Sequence, residues 1–450
     1  GTHYGYTDPY NPGQQLPGRW EMKLNNFFHP TDINNDGHMD FFAANWFEGA
    51  REDRPDAKLF AMINDGEGHF ALDTSVFEDY DFMCISGGDH DVVVDPQSEC
   101  GYHAGHQRML FADFNGDGND DIFQTSKLIL SNNGVMYDVS KTNLPDVFFR
   151  EDRPVWVHDA ATIDFDTDGD IDIFLPTREQ EGWTILENDG TGNFTERTGL
   201  TPMLQCNINC KEMIWATTTR TADFNNDGYD DIAVGWFNPY EATEESVRTP
   251  VPENSAGAIY LNSGPNSREA DQFEQIIPLP ANIYGANGNA NHMEIIDFNG
   301  DFYPDIVIAT TKHDPYYQGR AIQFIQTVVD GDNISFKDVT EQYHPSVDKY
   351  ADGAVIKPSW WNGEGRLRIV DVDGDGDMDI VDSSRESYIL VNQNYETFEL
   401  RDNFPRVPGK EFDEYYPIDV DQDGKMDFIS RSWSEDAEKS VNDFFIVKHK

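Results

Sequence analysis

One nine-residue stretch, Asp164-Phe165-Asp166-Thr167-Asp168-Gly169-Asp170-Ile171-Asp172, limits what this chain can fold into more than any other feature, because its pattern recurs seven times. The pattern is D-x-[DN]-x-D-G-x-x-D followed at once by an apolar run, here Ile173-Phe174-Leu175. Oxygen side chains at positions 1, 3, 5 and 9 can converge on one hard cation, and glycine at position 6 permits the sharp turn that brings them together. A pattern repeated in phase over the whole length marks a repeat architecture, which overrides any estimate of domain number from length alone.

The first copy supplies Asp32, Asn34, Asp36 and Asp40, and the second Asp113, Asn115, Asp117 and Asp121. The third supplies Asp164, Asp166, Asp168 and Asp172, and the fourth Asp223, Asn225, Asp227 and Asp231. The fifth has Asp297, Asn299, Asp301 and Asp305, the sixth Asp371, Asp373, Asp375 and Asp379, and the last Asp419, Asp421, Asp423 and Asp427. A backbone carbonyl at position 7, such as that of Asn119, completes each expected ligand set. Oxygen-only donors favour Ca2+ over zinc, and their number favours it over Mg2+. The competing reading is an Asx-rich turn that needs no metal. In the fifth copy Phe302 replaces the glycine and Pro304 follows, which predicts either the weakest of the sites or a different turn.

Each loop sits between two short apolar runs, as in Leu110-Phe111-Ala112 before and Ile232-Ala233-Val234 after. A third run ends in an Asn/Gly turn, as in Ile185-Leu186-Glu187-Asn188-Asp189-Gly190, and a fourth opens on an aromatic such as Phe194 or Phe398. Runs without alternation suit strands buried on both faces, and the turn chemistry suits an antiparallel meander. The expected fold is therefore all-β: a seven-bladed β-propeller of four-stranded antiparallel blades. Residues 1–16 read as an extended N-terminal arm, and 17–450 as one propeller domain with insertions near 77–108 and 238–257. The last unit lacks a fourth strand while Trp20–Leu24 is spare, so an N-terminal strand is expected to close the ring.

The seven motifs and their strand context resemble the FG-GAP/VCBS repeat family, the repeats of integrin α-subunit propellers and of many secreted bacterial proteins. The resemblance runs from about residue 17 to 450. It implies a calcium-binding propeller but selects no activity, since the family is functionally mixed.

The acidic balance, 83 Asp and Glu against 32 Lys and Arg with a formal charge of −51, argues against nucleic acid as a partner. No run of about 20 apolar residues is present to span a membrane. The chain begins at Gly1 without a leader and reads as a mature product, secreted or displayed at the cell surface. Cys84 with Cys100 and Cys206 with Cys210 fit two loop-stapling disulfides in an oxidising compartment, or four free thiols.

At the exits of the second strands stand Trp46, Lys127, Arg178, Trp236, Lys312, Arg385 and Arg431. By blade geometry these ring the face opposite the acidic loops. They suit an extracellular glycan, an acidic one above all, because guanidinium pairs carboxylate or sulfate and indole stacks on sugar. Alternatively each cation pairs with a carboxylate of a neighbouring blade, such as Glu179 or Glu386, as a ring-sealing salt bridge. The leading expectation is non-catalytic recognition of a glycan or protein, or a role in a surface assembly through the N-terminal arm. The second is a polysaccharide lyase acting on a uronate glycan, with His158 or His292 as base and Arg178 or Lys312 holding the carboxylate. The competing and favoured reading is that those histidines pack or hydrogen-bond at the channel mouth.

Overall fold

The computed structural model describes residues 4–5, 21–23, 28–46, 57–79, 84–85, 109–124, 127–146, 158–176, 183–198, 215–237, 255–265, 272–273, 275–312, 318–331, 333–344, 365–383, 387–401, 412–433 and 443–447. They form an all-β propeller of antiparallel blades. Among them, six sheets have four strands and one has six. The regular four-stranded form is thus met six times, one fewer than expected. The exception is the first sheet, where Glu21–Lys23 and Cys84–Ile85 add to the meander.

The third sheet shows how sequence builds a blade. Ala161–Ile163 enters the acidic loop, Asp172–Leu175 leaves it, and Thr184–Asn188 and Phe194–Thr198 complete the meander in simple up-and-down order. Ile173, Phe174 and Leu175 are all fully buried. A second strand has sheets packed on both sides, so neither face can be polar, which is why these runs do not alternate. Outermost strands face water on one side, and Asn333–Asp338 is correspondingly mostly exposed or half-buried.

The apolar side chains sort into clusters between consecutive sheets. One joins Phe123 and Leu128 of the second sheet to Ile173 and Leu186 of the third, and another joins Ile163 and Phe174 to Ile232 and Tyr260 of the fourth. A further cluster joins Tyr416, Ile418 and Ile429 of the last sheet to Phe41 and Phe60 of the first. First strands of neighbouring sheets also touch, as Trp215–Ala222 does Gly288–Ile296, and so line the inner side.

The N-terminal segment departs from expectation. Glu21–Lys23 pairs with Ala44, Asn45 and Trp46 of the first sheet rather than with the last. It is Tyr4–Gly5, expected in a free arm, that lies antiparallel to Asp443–Val447 as the outer strand of the last sheet. Of the four cysteines, Cys84 begins a two-residue strand against Ala57 and Lys58. Cys100, Cys206 and Cys210 lie outside the described residues, as does most of 77–108 and 238–257. No helix among the described residues is long and apolar enough to cross a membrane.

Candidate metal centre

The acidic loops share one internal geometry. In the second loop both oxygens of Asp113 accept backbone N–H groups, from Asp117 at 3.0 Å and Gly118 at 2.8 Å. Asp117 in turn accepts from the N–H of Asn119 at 2.9 Å. The same contacts recur at Asp32, Asp223, Asp297 and Asp419. The residue at position 2 anchors the loop in the core between sheets, as Phe114, Phe165, Phe224 and Phe298 do.

The position-9 aspartate ties the loop to the third strand. Asp172 is 1% exposed, accepts the Asn188 N–H at 2.8 Å through one oxygen, and accepts the Phe165 N–H at 3.3 Å through the other. Asp121 and Asp231 repeat both contacts. Burial pushes these carboxyls up, Asp121 and Asp379 to about 7 and Asp172, Asp231 and Asp305 to about 8. Neighbouring loop carboxylates push the same way, while the accepted N–H groups oppose them.

Ligand oxygens of Asp164, Asp166 and Asp172 lie within 4.8 Å of one another, as do those of Asp371, Asp373 and Asp379, and of Asp419, Asp421 and Asp427. Buried carboxylate oxygens on Asp164, Asp166 and Asp373 have no hydrogen-bond partner. Buried anionic oxygens crowded together without donors are costly unless a cation compensates them. The residues therefore fit a hard divalent cation held by oxygen.

Two backbone positions in each loop are left-handed, and the sequence disclosed one of them. At position 6 the glycines adopt positive φ, from 85° at Gly424 to 95° at Gly376, and Phe302 adopts 68°. The fifth loop thus turns in the same sense as the others, against one of the two expectations for it. Position 4 is also left-handed throughout, including Thr167 at φ 61° and Gln422 at φ 58°. Left-handed backbone costs a residue with a side chain roughly 1–2 kcal/mol, and glycine forfeits about 0.5–1 kcal/mol of that advantage through chain entropy. Phe302→Gly is accordingly expected to stabilise the fold by roughly 0.5–1 kcal/mol, read as a higher urea midpoint; a lower midpoint would show that the ring contributes packing.

A further residue escaped sequence reading. Asn188, closing the third strand, donates its side-chain amide to the carbonyl of Phe114 in the preceding sheet's loop at 2.8 Å and to that of Ile171 at 3.1 Å. Asn64 does the same towards Val420 and Met39, and Asn262 towards Phe165 and Asp230. These three amides stitch the first, third and fourth acidic loops to the loop before each. The signal was the asparagine ending several third runs, which by itself reads only as a turn residue.

The expected ligand ring is less uniform. Trp236 is 1% exposed and packed with Phe174, Trp183 and Tyr260, because Asp231–Phe237 continues as strand past the expected exit. It presents no stacking face. Lys127 opens the third strand of its sheet, is 4% exposed, and binds Asp138 of the same sheet at 2.7 Å. That contact is an internal salt bridge, though within a blade rather than between blades. Lys312 lies 5.2 Å from the Tyr284 ring centroid. Trp46 ends the strand Asp40–Trp46, and Arg431 pairs in register with Glu414. Arg178 and Arg385 lie outside the described residues.

On the inner strands, Arg220 bridges Asp159 of the third sheet at 2.8 Å and Glu294 of the fifth at 2.8 Å. His292 sits against it, 5% exposed, with its Nδ1 accepting the Leu367 N–H at 3.1 Å. The lone pair a general base would use is therefore engaged by backbone, and the remaining ring nitrogen faces Arg220 at 3.1 Å. His292 is built into the framework and is not poised to take a proton from a substrate. His158 is half-buried just before Ala161–Ile163.

Antiparallel blades, each with an acidic turn between its first two strands, define a propeller with repeated acidic loops. Residues 164–234 match the model of the FG-GAP-like repeat, and the β-propeller fold of the described residues is in keeping with that match. An Agrocybe aegerita lectin, described as recognising non-reducing terminal N-acetylglucosamine, is similar in fold at TM-score 0.51 and 17% identity, over 85% of this chain and 81% of that one. The Vibrio cholerae (V. cholerae) biofilm matrix protein Bap1 aligns at TM-score 0.34 and 11% identity, over 94% of this chain and 77% of that one. The rhamnogalacturonan lyase YesW aligns at TM-score 0.35 and 14% identity, over 94% and 67%. No curated protein sequence matches the chain.

Proposed function

We propose that this is a secreted, calcium-stabilised, seven-bladed propeller that recognises an extracellular glycan without transforming it. The six-stranded first sheet counts as the seventh blade, and Tyr4–Gly5 closes the ring. Calcium occupies the acidic loops, held by the side chains at positions 1, 3, 5 and 9, and neutralises carboxylates that the fold buries. Two disulfides at Cys84–Cys100 and Cys206–Cys210 are consistent with the extracellular setting.

One observation carries the reading: one end of the sheets is constant and the other varies. The acidic turns repeat a single geometry, whereas the connections between second and third strands range from 125–126 through 313–317 and 176–183 to 238–256. Loops of unequal length on a rigid scaffold are where binding specificity is usually placed. The lyase reading is weakened by His292, whose Nδ1 is committed to Leu367.

The test is an array of immobilised oligosaccharides probed with calcium-loaded protein, alongside uronate polysaccharides monitored for the absorbance of unsaturated ends. Saccharide capture without new absorbance is expected. Absorbance growing with time would establish a lyase and contradict the proposal.

A further inference from the structure

Position 4 of the acidic loops supplies no expected ligand, yet it is left-handed in every copy and, Thr167 apart, carries either an amide or no side chain. What it faces is the next loop. Asn35 of the first loop donates its amide to Asn119 of the second at 3.3 Å, and Asn226 of the fourth donates to the Phe302 carbonyl of the fifth at 3.5 Å. Gln422 of the last loop donates to the Gly37 carbonyl of the first. Where glycine stands, the neighbour has come close. A Cβ at Gly374 would lie 3.3 Å from the Gly424 carbonyl of the last loop, and one at Gly300 3.0 Å from Cγ of Tyr395 in the sixth sheet. Position 2 adds links in the same direction. Besides the three third-strand asparagines already described, the Met426 N–H of the last loop donates to the Val372 carbonyl of the sixth at 3.3 Å. Asp230 of the fourth loop accepts the Asp164 N–H of the third at 3.2 Å. Each link engages a loop residue that is, or adjoins, an expected cation ligand.

We infer that the acidic loops form one coupled belt, in which calcium at one loop raises the affinity of the loops beside it; the inference rests on the calcium reading. An empty loop crowds three or four carboxylates together, and their repulsion favours a looser turn. Loosening withdraws the carbonyls, amides and N–H groups that the loop shares with its neighbours. A bound ion fixes the turn and holds those groups in place, so the next ion meets a loop that is already partly ordered. Charge acts the other way, because each ion makes the chain less negative and attracts the next one less. Facing sheets lie about 10 Å apart, beyond the screening length of about 8 Å at physiological salt, so the contacts outweigh the charge. The pattern at position 4 follows from the same belt: an amide reaches across an open seam, and glycine fits a tight one.

The test is calorimetric calcium titration of chelator-stripped, full-length protein at physiological salt. It compares wild type with Asp36→Ala, which removes a ligand of the first loop, and with Asn35→Gly/Asn226→Gly/Gln422→Gly, which cuts three links and keeps every expected ligand. Glycine accepts left-handed backbone, as it does at Gly116, so the triple variant is expected to keep the wild-type melting temperature in chelator. Asp36→Ala is expected to lose one ion and to weaken the neighbouring loops by about fivefold, read as a shift of the remaining curve to higher calcium. The triple variant is expected to bind as many ions as wild type, with half-saturation roughly twofold to fivefold higher. Adding Asp36→Ala to it should then shift the remaining curve less than in the wild-type background. Loss of one ion with the other loops unchanged overturns the coupling and leaves the calcium reading standing. A shift of equal size in both backgrounds overturns the belt as the route of coupling. No heat of binding in wild type overturns the calcium reading and the inference with it.

Discussion

Replacing Asp172 with alanine is expected to destabilise the folded chain by roughly 2–6 kcal/mol, from two buried N–H groups left without acceptors at about 1–3 kcal/mol each. The two donors are Asn188, which opens the turn after the third strand, and Phe165, which anchors the acidic loop in the core. One carboxylate thus joins loop, second strand and third strand. The control is Asp170→Ala in the same loop, whose half-buried side chain accepts neither of those N–H groups; it is expected to change stability by less than about 1 kcal/mol. Urea unfolding at constant m-value reads both. Equal midpoints for the two variants would show that the position-9 carboxylate is not the tie described.

A second large effect concerns pH. Burial first, and neighbouring carboxylates second, raise the folded-state values of Asp172, Asp231 and Asp305 to about 8, while carboxyls in the unfolded chain titrate near 4. Between those limits the folded chain holds protons that the unfolded chain has released, so stability falls as pH rises. In chelator the contribution is fully present below about pH 4 and lost as pH passes through about 8. Calcium, as proposed for these loops, would compete with those protons for the same oxygens and bind better as pH rises. Melting temperature should therefore decline from pH 5 to 8 in chelator, and stay level or increase over the same range with calcium. A flat profile in chelator would mean that these carboxyls titrate normally.

Much of this was legible in the sequence, and what was not has identifiable causes. The acidic repeat is local: its ligands and its turn glycine lie within nine residues, so pattern alone located every loop and the strands on each side. The interlocking of loops is not local. Asn188 reaches a carbonyl 74 positions away and Asn64 one 356 away, and a turn asparagine looks alike with or without such a partner. The left-handed residue at position 4 was masked because asparagine, threonine and glutamine fill it as well as glycine. N-terminal pairing was misjudged because a two-residue strand such as Tyr4–Gly5 carries no periodic signal, whereas Trp20–Leu24 does. Trp236 was expected at an exit because strand ends are the least certain part of a pattern, and two further residues of strand carried it into the core. Lys127 was recognised as one of a set of cations, but its partner depended on register within its own sheet.

The central claim is that the acidic loops are cation sites on which the ring depends. The direct measurement is calcium titration of chelator-stripped protein by calorimetry, paired with thermal unfolding of the same samples. The account predicts binding of several calcium ions per chain, up to one for each of the seven acidic loops. Each occupied site adds about 2.7 kcal/mol when free calcium is 100-fold above its Kd, so the melting temperature should rise steeply with calcium. No heat of binding above background, together with a melting temperature indifferent to chelator, would contradict it.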